Sequence, residues 1–159
     1  MMFTYEEGIR VSVLGVYRVK IREKREGDVV FLADERENRV LPIWIGESEA
    51  MSIQMVMRGE KPPRPLTHDL LVGILEVTGF EVDRIKIDGL IKDTYTSSLY
   101  IRNLSTGKTL RVDSRPSDAI AVALRVGCEI FVDNSLGDQM LPRDRFRFPD
   151  QEGGTQPND

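Results

Sequence analysis

From Ile9 to Lys20 (IRVSVLGVYRVK) aliphatic and β-branched side chains alternate with polar ones, the two-residue period of a strand with one covered face. A charged turn, REKREGD, separates this run from VVFLADE (29–35), and a shorter turn at Glu37 and Asn38 leads into RVLPIWI (39–45). Both runs read as strands. Pro42 lacks an amide donor, which predicts that the third strand lies at a sheet edge or carries a bulge. The period then changes. Ala50, Ile53 and Met57 share one helical face over 48–57, and Gly59 marks a stop. The prolines of EKPPRPL prevent the helix from continuing. Thr67 is a suitable N-cap for THDLLVGILEVT, which Gly79 closes. Strands over 80–91, 94–102 and 108–113 follow, then a helix over 115–126 ended by Gly127, and a short strand, EIFVD.

This order predicts an α+β fold: a mixed, largely antiparallel sheet or sheets with three main helices. It also reads as a duplicated βββα unit. Laying Ser48-Glu49-Ala50 on Ser117-Asp118-Ala119 brings Ile53 and Met57 onto Val122 and Val126, and puts Glu49 and Asp118 in equivalent first turns. The length of 159 residues suits one domain, expected over 1–148, with a polar, disordered tail over 149–159.

Composition narrows the function classes. A hydrophobic fraction of 40% supports a sizeable core, and 30% charged residues suit a solvated surface. No apolar run reaches the roughly 18–20 residues of a membrane helix, and the N-terminus lacks the pattern of a secretory signal. A cytoplasmic location is therefore expected. Cys128 is the single cysteine, which excludes an intramolecular disulfide and a thiolate cluster within one chain; its apolar neighbours predict a buried, inert thiol. The net charge of −4 argues against broad electrostatic capture of nucleic acid, though not against an enzyme touching a few phosphates. Glu and Arg are abundant while Asn, Gln and Cys are sparse, a balance seen in heat-adapted proteins. Walker loops, dinucleotide glycine patterns, HExxH and nucleophile elbows are absent.

Two helix starts carry the candidate chemistry. His68 is the only histidine, and with Thr67 as cap it would occupy the first helical position with Asp69 next. The positive end of a helix favours a neutral imidazole and an ionised carboxylate. Such a pair is either an acid–base centre or a dipole-complementing aspartate beside a solvated histidine. Arg115, Ser117 and Asp118 open the third helix, with Ser114 as a candidate cap and Pro116 pre-set in φ. This segment is either a well-capped start with a surface ion pair or an anion site. Asp113 and Asp118 offer oxygen ligands for a divalent cation. Arg58, Lys61 and Arg64 flank the proline-rich connector and either steer a phosphate or solvate a loop. Trp44, Met51, Met55 and Met57 are read as core or subunit-interface residues, and a sheet edge beside a Met-rich helix predicts a homodimer.

The motifs LPIWIGESEA (41–50), RPLTHDLL (64–71), SRPSDAIAVALR (114–125) and EIFVD (129–133) together resemble the bifunctional nuclease family. The likeness covers about 9–135 and is that of a stand-alone bacterial member, with heat-loving relatives. The resemblance implies hydrolysis of phosphodiester bonds in RNA and DNA. It implies His68 as general acid or base, oriented by Asp69, and a catalytic role for Arg115 and Asp118. Arg64, Thr67, Arg115 and Ser117 would bind substrate, and Glu49, Asp113 and Asp118 would ligate Mg2+ or Mn2+, with no organic cofactor. The rival expectations are a non-catalytic dimeric module holding a small anion or nucleotide at Arg115, and a structural or partner-docking protein. The nuclease expectation requires the His68 and Arg115–Asp118 helix starts to face one cleft.

Overall fold

The computed structural model describes residues 7–149; the expected tail falls almost wholly beyond them. Strands β1 (Ile9–Ile21), β2 (Arg25–Asp34) and β3 (Arg39–Ile45) lead into helices α1 (Glu47–Met57) and α2 (Thr67–Val77). Strands β4 (Phe80–Ile91), β5 (Thr94–Asn103) and β6 (Thr109–Ser114) lead into α3 (Pro116–Val126), followed by β7 (Glu129–Val132) and the two-residue β8 (Leu141–Pro142). Among the described residues these eight strands form one sheet in the order β6-β5-β4-β7-β1-β2-β3-β8. Every pairing is antiparallel except β4 with β7. The fold is α+β, with a mixed, largely antiparallel sheet and three main helices.

Two βββα units flank β7. Each is an antiparallel meander whose last strand passes through one residue, Gly46 or Arg115, into a helix. The repeat noted in the sequence is in register: Glu49 and Asp118 are both the third residue of their helices, and Ala50, Ile53, Ala119 and Val122 are all buried. Helix α3 packs between α1 and α2 and over β4 and β5. That central position buries Ala119 to Ala123 without interruption, and its three alanines permit close helix approach.

Strand β2 lacks strict alternation because both its faces are covered. Val30 and Leu32 face the helices, in the same core as Leu41, Ile53, Ile85 and Ile120. Val29, Phe31 and Ala33 face the other way, against Tyr17, Phe146 and Phe148. The Phe31 ring lies 5.1 Å from Phe146 and 5.0 Å from Phe148, centroid to centroid, in edge-on geometry. The chain after β8 therefore closes the back of the first unit. Strand β3 is paired on its outer side only at Arg39 and Val40, by β8. Pro42 thus sits on a nearly free edge, where its missing donor costs little.

Candidate active site

The starts of all three helices converge on one cavity of about 480 Å3, lined by Glu47, Ser48 and Glu49 of α1, Leu66, Thr67 and His68 at α2, Arg115 and Asp118 at α3, and Met51 and Ser52. The N-cap residues of α1 and α3 make no side-chain capping hydrogen bond, and the partial positive charge of these starts faces the first-turn carboxylates Glu47, Glu49 and Asp118. The sheet order causes the convergence. Equivalent strand-to-helix passages in the two units put the α1 and α3 starts side by side, and the connector returns α2 alongside α3.

His68 is held at both ring nitrogens. Its Nε2 lies 2.9 Å from Asp118 Oδ1 and its Nδ1 lies 2.7 Å from Ser52 Oγ. The imidazole is 12% exposed and the Asp118 side chain 29%, so the pair is sheltered without being sealed. The Arg115 Nε donates to Asp118 Oδ2 at 3.1 Å, and another guanidinium nitrogen lies 3.7 Å from Glu49 Oε2. Burial pushes the Asp118 carboxyl up, but hydrogen bonds from His68 and Arg115 and their charge together hold it below its ordinary value. An ionised carboxylate only accepts, so the proton between it and His68 resides on Nε2 and the basic lone pair of the neutral ring is on Nδ1.

The two helix starts that carry the candidate chemistry thus meet through His68 and Asp118. Three expectations are corrected. Leu66, not Thr67, is the N-cap of α2, and the Leu66 amide is satisfied by Asp69 Oδ2 at 2.9 Å; Thr67 is the first helical residue and lines the cavity. Asp69 does not orient His68. Neighbouring helical residues diverge by about 100°, so Asp69 faces α3, where it accepts from Arg125 Nε at 2.7 Å. Ser114 does not cap α3; its hydroxyl is engaged by Ser97 Oγ at 2.9 Å because β6 continues through it, and Arg115 is the N-cap.

Other candidates lie outside the cavity. Arg64 is exposed in the connector, and Asp113 is exposed on β6 opposite Ser98. Ser117 is buried and lines an adjoining cavity of about 320 Å3, with Arg25, Trp44, Tyr95, Glu49 and Arg115 among its other walls. Glu49, Asp113 and Asp118 do not assemble as metal ligands. Among the described residues no three His, Cys, Asp or Glu side chains are grouped to hold a metal ion. Both oxygens of Asp118 already face His68 and Arg115, and the cation between Glu49 and Asp118 is a guanidinium. Cys128 is partly buried, and burial pushes its thiol up to about 11, which keeps it protonated and unreactive at neutral pH.

Sequence reasoning overlooked Ser52 and Arg125. Ser52 is a buried polar residue on a helix face otherwise made by Ala50 and Ile53, which was a readable signal. Arg125 is 8% exposed at the side chain and ties the elements together, donating to Asp69, to the Ala121 carbonyl at 3.0 Å and to the Ser52 carbonyl at 3.4 Å.

Asp69 is also held below its ordinary value, chiefly by the Leu66 amide and then by Arg125. For Asp69 and Asp118 the stabilisation is complete above the unfolded carboxyl value of about 3.9. It is lost as pH falls through the lower folded values, because the unfolded chain takes up protons first. Urea-determined stability of the wild type should therefore fall more steeply below about pH 4 than that of Asp69→Asn, the two curves converging. Parallel curves would refute the assignment.

The fold and site define an α+β protein with a carboxylate-held imidazole in a cleft at the starts of three helices. A sequence model of the bifunctional nuclease domain matches residues 30–142, and the chain belongs to that family. It is 35% identical over 126 residues to an uncharacterised protein of Mycobacterium tuberculosis, covering 79% of this chain and 72% of that one. It is also 27% identical over 109 residues to bifunctional nuclease 1 of Oryza sativa subsp. indica, and 24% identical over 109 residues to bifunctional nuclease 2 of Arabidopsis thaliana. Each match covers 68% of this chain but only 33% of the plant protein.

Proposed function

We propose that this protein is a nuclease that cleaves phosphodiester bonds in RNA and DNA at the cavity between the three helix starts. The observation that carries this reading is the contact of His68 Nε2 with Asp118 Oδ1 at 2.9 Å, across two helix starts and beside Arg115. His68 supplies acid–base catalysis through Nδ1, the nitrogen not held by Asp118. Arg115 and the uncapped amides bind the phosphate and offset the charge that builds on its oxygens in the transition state. Trp44 and Tyr95 both line the adjoining cavity, which shares Arg115 and Glu49 with the first, and the Arg25 guanidinium lies 4.0 Å over the Trp44 ring. The resident groups do not fit a divalent ion between Glu49 and Asp118, so no step is assigned to one.

The test uses wild type and a His68→Ala/Asp118→Ala double variant purified identically, each incubated with labelled RNA and DNA, with and without EDTA. Cleavage by the wild type alone is expected, and the EDTA arm reports whether it requires a divalent ion. Equal cleavage by both proteins would mean a contaminant and would end the reading.

We also propose a homodimer formed through the outer face of α2. Leu70, Ile74 and Val77 recur there at helical spacing and are 55%, 50% and 84% exposed, an apolar stripe on a helix with no fully buried residue. Light scattering should give a dimeric mass for the wild type and a monomeric mass for Ile74→Glu. A monomeric wild type would exclude this interface. No helix among the described residues is long and apolar enough to cross a membrane.

A further inference from the structure

The hydrogen bonding of His68 leaves one partner for its base. Arg115 and His68 keep Asp118 ionised, and Asp118 takes the Nε2 proton. The remaining lone pair, on Nδ1, meets Ser52 Oγ at 2.7 Å. Any proton that His68 removes by its present contacts is therefore the Ser52 hydroxyl proton. Ser52, His68 and Asp118 all line the same cavity, and Arg115 stands at its wall.

We propose that Ser52 is the nucleophile of this site, so that Ser52, His68 and Asp118 act as a serine–histidine–carboxylate relay that passes through a covalent phosphoseryl intermediate. The roles are those of the hydrolase triad with the two ring nitrogens exchanged, which the chemistry permits: one nitrogen takes the serine proton while the carboxylate fixes the other N–H. Ser52 Oγ attacks phosphorus, the P–Oγ bond forms, and the bond to the leaving oxygen breaks. The serine proton moves to Nδ1 and then to that oxygen. Water next attacks the phosphoseryl phosphorus, giving a proton to Nδ1; the P–Oγ bond breaks, and Nδ1 passes that proton to Ser52 Oγ. The first-turn amides of α1 and Arg115 supply positive potential for the phosphoryl oxygens.

The identity of the substrate rests on the nuclease reading; the nucleophile does not, and the test separates them. The full-length protein is incubated with diisopropyl fluorophosphate, in which Ser52 Oγ would displace fluoride and the proton would leave through His68. Intact-mass and peptide analysis should show one diisopropylphosphoryl group on the peptide holding Ser52. Labelling should fall at least about 100-fold in His68→Asn and vanish in Ser52→Ala, with circular dichroism unchanged. No label on folded wild type, or label that ignores His68, overturns the proposal. If His68→Asn stops RNA and DNA cleavage while Ser52→Ala cleaves like wild type, the nuclease reading stands and the nucleophile falls. If Ser52 is labelled in a His68-dependent way but neither nucleic acid is cut, the nucleophile stands and the nuclease reading falls.

Discussion

His68→Asn should lower cleavage of both RNA and DNA by about 100- to 10,000-fold, the usual worth of a positioned acid–base group. Asparagine is the informative replacement because its amide keeps a polar group near the position of Nδ1, toward Ser52, but has no titratable nitrogen at neutral pH. The loss should appear mainly in kcat, since binding of the phosphate is assigned to Arg115 and the helix-start amides rather than to the imidazole. Arg115→Ala should behave differently, raising KM as well as lowering kcat. Both variants should keep their circular dichroism spectra. The His68 side chain is not part of the apolar core clusters, and Arg115 is 68% exposed at its side chain. Wild-type rates in His68→Asn would remove the acid–base role altogether.

Arg125→Met should destabilise the fold by about 1–3 kcal/mol, the scale of charge-assisted hydrogen bonds lost from a part-buried pair. The reason lies in how α2 is attached. None of its residues is fully buried, so its hold on the body rests on Val72, on the His68 contacts with Ser52 and Asp118, and on the Arg125–Asp69 contact. Methionine replaces the aliphatic stem of Arg125 but leaves Asp69 and the Ser52 carbonyl without their cation. Urea denaturation should show a lower midpoint with an unchanged m-value. Because Asp69 and His68 are adjacent, activity should fall with stability, and Arg125→Lys should recover part of both. A double-mutant cycle with Asp69→Asn isolates the pair. An additive result would mean that α2 is held by something else.

Most elements were legible because strand and helix periods are local properties of the chain. Strands 39–45 and 80–91 run between the residues that their alternation marks, and the three helices end where Gly59, Gly79 and Gly127 follow. Those glycines all adopt positive φ, and Gly127 donates to the Ala123 carbonyl in closing α3. The repeat was also legible, since Glu49 and Asp118 occupy the same third position in equivalent helices. Less was readable of the partners. Asp69 adjoins His68 in the chain yet serves Arg125, while Asp118, fifty positions away, holds the imidazole.

What the amino-acid order determined by itself is therefore the set of elements, their two βββα units and the residue types at each helix start. The tertiary structure alone decided which starts share a cavity, that Ser52 completes the contacts of His68, that Asp113 and Arg64 stand apart, and that Phe146 and Phe148 cover the back of β2. The physical reason is range. Periodicity and capping act over one turn or one strand, whereas these contacts arise only when sheet order and helix packing carry distant segments to the same place.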